Sequence, residues 1–164
     1  MKLITSLLTM CICLPFTWAC GKKQHTEGSI QYFEYYEFTM RSSPRVCYRV
    51  ERDGEGTLLL MYSFGDEMLA VVKAPANLFD VIDSHVKEGH LWNLKNMYVN
   101  RNVLDGTDWS FYCRYDQGSI SSSGSNKRPL GRMQDSIDAI LSHLKSLTDQ
   151  VTEADILGNE PFHK

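Results

Sequence analysis

The chain has little surplus charge: 17 Lys and Arg stand against 20 Asp and Glu in 164 residues, a formal net charge of -3. With no broad basic excess to neutralise phosphates, a general nucleic-acid binder is excluded. Cysteine is scarce, and three of the five (Cys11, Cys13 and Cys20) fall within the first 20 residues. Metal-ligand spacings are missing: there is no Cys-x-x-Cys, His-Glu-x-x-His or calcium-loop pattern. His85 and His90 stand five apart where a shared helical face needs three or four, and His25 and His163 sit in polar end segments. No Gly-x-Ser-x-Gly elbow precedes or follows a histidine-bearing motif, and no internal repeat or low-complexity stretch occurs. The expectation is a chain without a metal site, a cofactor or a recognisable catalytic residue. What remains, 43% hydrophobic and 23% charged residues, is the composition of an ordinary globular domain.

Long hydrophobic runs are also nearly absent, and the exception is informative. Met1-Lys2 precedes an apolar run over residues 3–16, interrupted by Thr5, Ser6, Thr9 and Pro15 and followed by Thr17-Trp18-Ala19-Cys20-Gly21. It is shorter than the roughly 20 apolar residues of a membrane-spanning helix and has the n-region, h-region and cleavage-site order of an export signal. Residues 1–19 are therefore expected to be a signal peptide, with 20–28 a polar tether, 29–150 one domain and 151–164 a C-terminal tail.

Ala19-Cys20-Gly21 after such an h-region resembles the signal of bacterial lipoproteins, in the looser Bacteroidota form with Thr17 and Trp18 where Leu and a small residue are usual. The resemblance implies that Cys20 is lipidated and becomes the mature N-terminus, holding the protein on the cell-envelope membrane. Ordinary cleavage after Ala19 is the alternative. Lys22 and Lys23 would lie beside the headgroups, and the absence of an acidic run after Gly21 favours a periplasm-facing position.

Turn and strand signals organise the rest. Aromatic and β-branched residues over 30–40, 46–52, 57–64 and 67–73, with Asp53-Gly54 and Gly65-Asp66 between runs, predict an antiparallel meander. Leu78, Val81, Ile82, His85 and Val86 predict a helix ending near Gly89, and a hairpin follows over 108–115 and 119–123. From Pro129, the residues Met133, Ile137, Ile140, Leu141, Leu144 and Leu147 predict a second amphipathic helix. The expected fold is α+β: an antiparallel meander sheet of five to six strands covered by two helices.

Cys47 and Cys113 are the candidate disulfide pair, although alternation places Cys47 with Arg49 and Cys113 with the inward Trp109, Phe111 and Tyr115, on opposite faces. For ligand binding, Ser123, Ser125, Asn126, Lys127 and Arg128 combine a Gly/Ser turn, two cations and an approaching helix start, which suits an anion and equally suits a plain connection. Tyr32-Phe33-Glu34-Tyr35-Tyr36 offers a stacking surface or, on alternate positions, core. Asp80 and Asp83, like Asp135 and Asp138, read as solvated helix faces.

Leu104-Asp105-Gly106 with Trp109, Tyr115, Gly118, Ser123-Gly124-Ser125-Asn126 and Pro129 resembles a pattern in small exported proteins of gut bacteria that carry no assigned activity. It implies a fold and no chemistry. The expected role is binding of an envelope protein, a peptide or a glycan. A small envelope hydrolase and an inhibitor or immunity protein are the alternatives.

Overall fold

The computed structural model describes residue 24 and residues 26–39, 46–64, 68–103 and 106–161. The expected signal peptide, Cys20, most of the tether, and Leu104 and Asp105 lie outside these residues.

Eight strands form one sheet with two helices, so the α+β class holds and the strand count exceeds the expectation. The strands are β1 (Glu27–Thr39), β2 (Val46–Arg52), β3 (Leu58–Phe64), β4 (Met68–Lys73), β5 (Met97–Val99), β6 (Thr107–Gln117), β7 (Ser119–Ser125) and β8 (Ile156–Pro161). Helix α1 (Leu78–Gly89) follows β4, and α2 (Arg132–Thr148) follows β7. The order across the sheet is β5-β7-β6-β1-β2-β3-β4-β8. The meander therefore holds for β1 to β4, while β1 also pairs with β6 on its other side. Neighbours are antiparallel except β5, which runs parallel to β7.

Both additional strands arise where local patterning is weak. β5 is three residues long and came from a stretch without periodicity. β8 corrects the expected C-terminal tail: Thr152 and Asp155 form a capping box around one 3₁₀ turn, and the chain then pairs with β4 along the sheet edge. Its residues are mostly exposed, so its pairing rests on backbone hydrogen bonds and not on an apolar stripe. The tether assignment is corrected as well, because β1 starts at Glu27 and Gln24 is already bonded to the domain.

Alternation divides the sheet into two faces. Phe33, Tyr35, Tyr48, Val50, Leu60, Phe111, Cys113 and Ile120 point to the helical side. There they meet Leu78, Phe79, Ile82 and Val86 of α1 and Ile137, Ile140 and Leu144 of α2. Each such buried side chain contributes roughly 1.5–3 kcal/mol. Phe33 and Phe111 cross edge to face with centroids 5.6 Å apart. On the opposite face a smaller cluster of Cys47, Met61, Leu69 and Val71 contains no helical residue. Cys47 and Cys113 are buried in these separate clusters and are not bridged to each other, so the candidate disulfide is not formed: the sheet itself lies between them.

Helix α1 ends at Gly89 as expected, while α2 starts later than Pro129 suggests. At the end of α1 the left-handed cap position falls to His90 (φ 50°). Gly89 is the last helical residue, and a β-carbon there would strike Ser136 of α2. Helix α2 begins at Arg132, three residues beyond Pro129, after Gly131 at φ 58°. With 17 residues it runs about 26 Å.

Gly124 of β7 lies under the indole of Trp109, and a β-carbon there would sit 2.2 Å from Nε1 and 2.4 Å from the Lys127 carbonyl. Those two atoms are joined by a 2.8 Å hydrogen bond from the indole N–H. Gly124→Ala should therefore lower unfolding free energy by about 2–4 kcal/mol, through overpacking and loss of that bond. Gly54→Ala, with open space around it, should stay within about 0.5 kcal/mol. Urea titrations of the two variants check the contrast; equal midpoints would refute it.

Candidate functional site

A cleft of about 490 Å³ opens where Gln24 and residues 26–28 meet the end of α1 and the end of β6. Its lining comes from Gln24, Thr26, Glu27 and Gly28 on one side, Asp83 and Lys87 of α1 on the other, and Trp92 and Tyr115.

Each element places its residues for a local reason. Helix α1 buries Ile82 and Val86, which leaves Asp83 and Lys87, one turn apart, on its flank. His90 in the left-handed conformation ends the helix, and the 3₁₀ turn Leu91–Asn93 that follows buries Leu91 and leaves Trp92 partly buried against the core. Tyr115 lies on the helical face of β6, opposite Ile30 of β1. Between Glu27 and Tyr32 the β1–β6 register shifts twice, and Asp116 receives the Ser29 N–H and the Gln31 amide, each at 2.7 Å. Glu27 still pairs with Gln117 beyond the irregularity, and residues 26–28 form one wall of the cleft.

Polar groups converge behind the opening. Tyr115 donates its hydroxyl to Asp83 Oδ1 at 2.9 Å, and Lys87 Nζ reaches Asp83 Oδ2 at 2.5 Å. Both carboxylate oxygens are thus engaged, and the bond to Asp83 holds the Lys87 ammonium above its ordinary pKa. Burial pushes the Cys113 thiol and the Tyr115 phenol well up from their ordinary values. The Tyr115 hydroxyl offsets part of the rise at Cys113, while Cys113 and Asp83 add to the rise at Tyr115. Cys113 is held as a neutral thiol behind the phenol and is unsuited to act as a nucleophile.

Gln24 fixes the entry of the chain. Its side-chain amide donates to the Leu94 carbonyl at 3.1 Å and the Ser121 carbonyl at 3.2 Å, while its oxygen accepts the Ser121 N–H at 2.6 Å. β5 pairs with β7 at Ser123 to Ser125, so this side chain continues the pairing at Ser121 in the manner of a backbone amide.

The residues singled out from sequence are divided. Ser123 and Ser125 sit on β7, and the Ser123 hydroxyl contacts the Asn96 carbonyl at 3.4 Å. Asn126, Lys127 and Arg128 border a separate hollow of about 310 Å³ with Val103, Gly106, Thr107 and Trp109. Asn126 takes φ 56°, gives its N–H to Thr107 and its side-chain amide to Val103. Lys127 offers its carbonyl to Trp109, and Arg128 pairs with Glu37 and lies 3.7 Å from Asp138. Helix α2 starts at Arg132, beyond this segment, and the Arg128 guanidinium is already paired with Glu37. Of the aromatic segment, Phe33 and Tyr35 are core. Tyr32 lies on the other face, beside Tyr112 and Arg114, with its hydroxyl on Glu34.

The cleft was missed because its members are far apart in sequence. Asp83 read as one carboxylate of a solvated face, and Trp92 fell in an aperiodic stretch. The Asp83-to-Lys87 spacing is a signal that was present, though it marks exposed helix pairs as often. No family model matches the chain, and no curated protein matches it. No described helix is long and apolar enough to cross a membrane.

The raised groups set an alkaline response with a defined sign. Well below pH 9 the Cys113 thiol and Tyr115 phenol are protonated in both folded and unfolded chains, so their contribution is intact. As pH rises past the ordinary values of 9.0 and then 10.0, the unfolded chain ionises while the folded one does not, and stability falls. Each group contributes up to about 1.4 kcal/mol per pH unit. Urea unfolding between pH 8 and 11 should show this decline, with a shallower slope above pH 10 in Tyr115→Phe; parallel slopes would refute the assignment.

Proposed function

We propose that the protein is a bacterial envelope lipoprotein, held on the membrane through Cys20, that acts by binding a peptide or glycan in the cleft formed by Gln24, residues 26–28, α1 and β6. The observation that carries the binding reading is the cleft's chemistry: one partly buried indole, Trp92, in the lining together with a carboxylate locked by Tyr115 and Lys87. An aromatic wall with a few fixed polar groups suits a ring or side chain laid against the indole and hydrogen-bonded at its edge.

Against the hydrolase alternative, the described residues lining the cleft include no Ser, His or Cys. Asp83 has both oxygens occupied, so it orients a ligand more readily than it abstracts a proton. The anchor reading rests on Ala19-Cys20-Gly21 after the apolar run. Acyl chains contribute about 0.8 kcal/mol per buried methylene, so a multiply acylated Cys20 holds the protein on the membrane.

Two measurements test the two halves. Intact mass of protein from the membrane fraction should show a chain beginning at Cys20 with added acyl mass, lost in Cys20→Ala; an unmodified soluble chain would overturn the anchor. For the cleft, Trp109 is buried and Trp92 is not, so ligand entry should change the Trp92 emission. Titration with a panel of short peptides and oligosaccharides should give a saturable change that vanishes in Trp92→Phe and weakens about tenfold or more in Asp83→Asn. A flat response across the panel would overturn the binding site.

A further inference from the structure

Gln24 is fixed to Leu94 and Ser121 by three hydrogen bonds, and only Gly21, Lys22 and Lys23 separate it from Cys20. Four residue steps reach at most about 14 Å even when fully extended. This is about half the length of α2 alone, so a lipid on Cys20 leaves the domain no freedom to stand away from the bilayer. The surface beside Gln24 is the one that also carries Thr26, Glu27, Trp92 and the mouth of the cleft.

We infer that this surface is a membrane-contact face: the short tether seats the domain on the lipid headgroups, with Trp92 at the interface. The inference rests on the proposed lipidation of Cys20 and specifies what that anchor does to the fold. Indole is well suited to such a position, since its ring is apolar and its N–H is polar. Lys22 and Lys23 lie within the same short span and add attraction to anionic headgroups. The α1 partner Lys87 is neutralised locally by Asp83, so the attraction falls chiefly on the tether.

The test uses the full mature lipidated protein, reconstituted in phosphatidylethanolamine/phosphatidylglycerol vesicles containing a headgroup-spin-labelled lipid. Vesicle flotation and intact mass report the anchor; quenching of tryptophan emission reports the contact face. The expected result is co-flotation with Trp92 emission roughly halved, the quenched component disappearing in Trp92→Phe. Insertion of about 12 Gly/Ser residues between Lys23 and Gln24, spanning roughly 20 Å, should preserve flotation and abolish the quenching. Flotation without quenching in the parent protein overturns the contact face and leaves the anchor standing. Equal quenching with the long tether overturns the tether argument. Unmodified protein that does not float overturns the anchor and this inference together.

Discussion

The structure depends on one long-range pairing, that of β1 with β6. β1 is the middle of the sheet in a chain sense: it begins the meander to β4 on one side and accepts the β6–β7 hairpin on the other. Partners such as Phe33 with Cys113 and Tyr35 with Phe111 are far apart in sequence, so forming this ladder closes a long loop before its contacts are gained. Once formed, it brings residues 26–28 beside Tyr115, Gln24 beside Ser121, and Glu37 beside Arg128. The cleft is a consequence of that pairing and of the register shifts at its end.

The two sheet faces have different tasks. The helical face holds the larger core, which α1 and α2 complete. A polar network ties its margin: Tyr35 donates to Glu37 at 2.7 Å, and Glu37 takes Arg128, whose guanidinium also approaches Asp138 of α2. A half-buried carboxylate is tolerable there because both a hydroxyl and a cation answer it. The opposite face combines the Cys47, Met61, Leu69 and Val71 cluster with polar and aromatic residues, including Tyr32, Glu34 and Arg49. Its mixed character explains why alternation alone placed both cysteines on the correct faces while saying nothing about what lies over each.

Much of the architecture was legible because its signals are local. Strands β1 to β4, β6 and β7 and both helices appear where period-two or period-3.6 patterns and turn residues predict them, and the opposite facing of Cys47 and Cys113 followed from alternation. β5 and β8 were not legible, since a three-residue strand and an exposed edge strand carry no hydrophobic period. The start of α2 was misplaced because Pro129 is an equally good loop residue, and the Ser123 to Arg128 segment was consumed by Trp109, Thr107, Val103 and Glu37. The cleft residues were individually ordinary: an aspartate on a helix flank, a tryptophan in a loop, a tyrosine at a strand end.

What the sequence by itself determined is the apolar run over residues 3–16 followed by Ala19-Cys20-Gly21, the scarcity of metal-binding and nucleophile motifs, and the alternation that assigns residues to faces. Tertiary structure decided the strand order, the fate of the chain ends and the site, because each depends on backbone groups and side chains meeting across long separations. A hydrogen bond from Gln24 to Ser121, or from Tyr115 to Asp83, has no local signature. It exists only because β1, β6 and α1 pack against one another first.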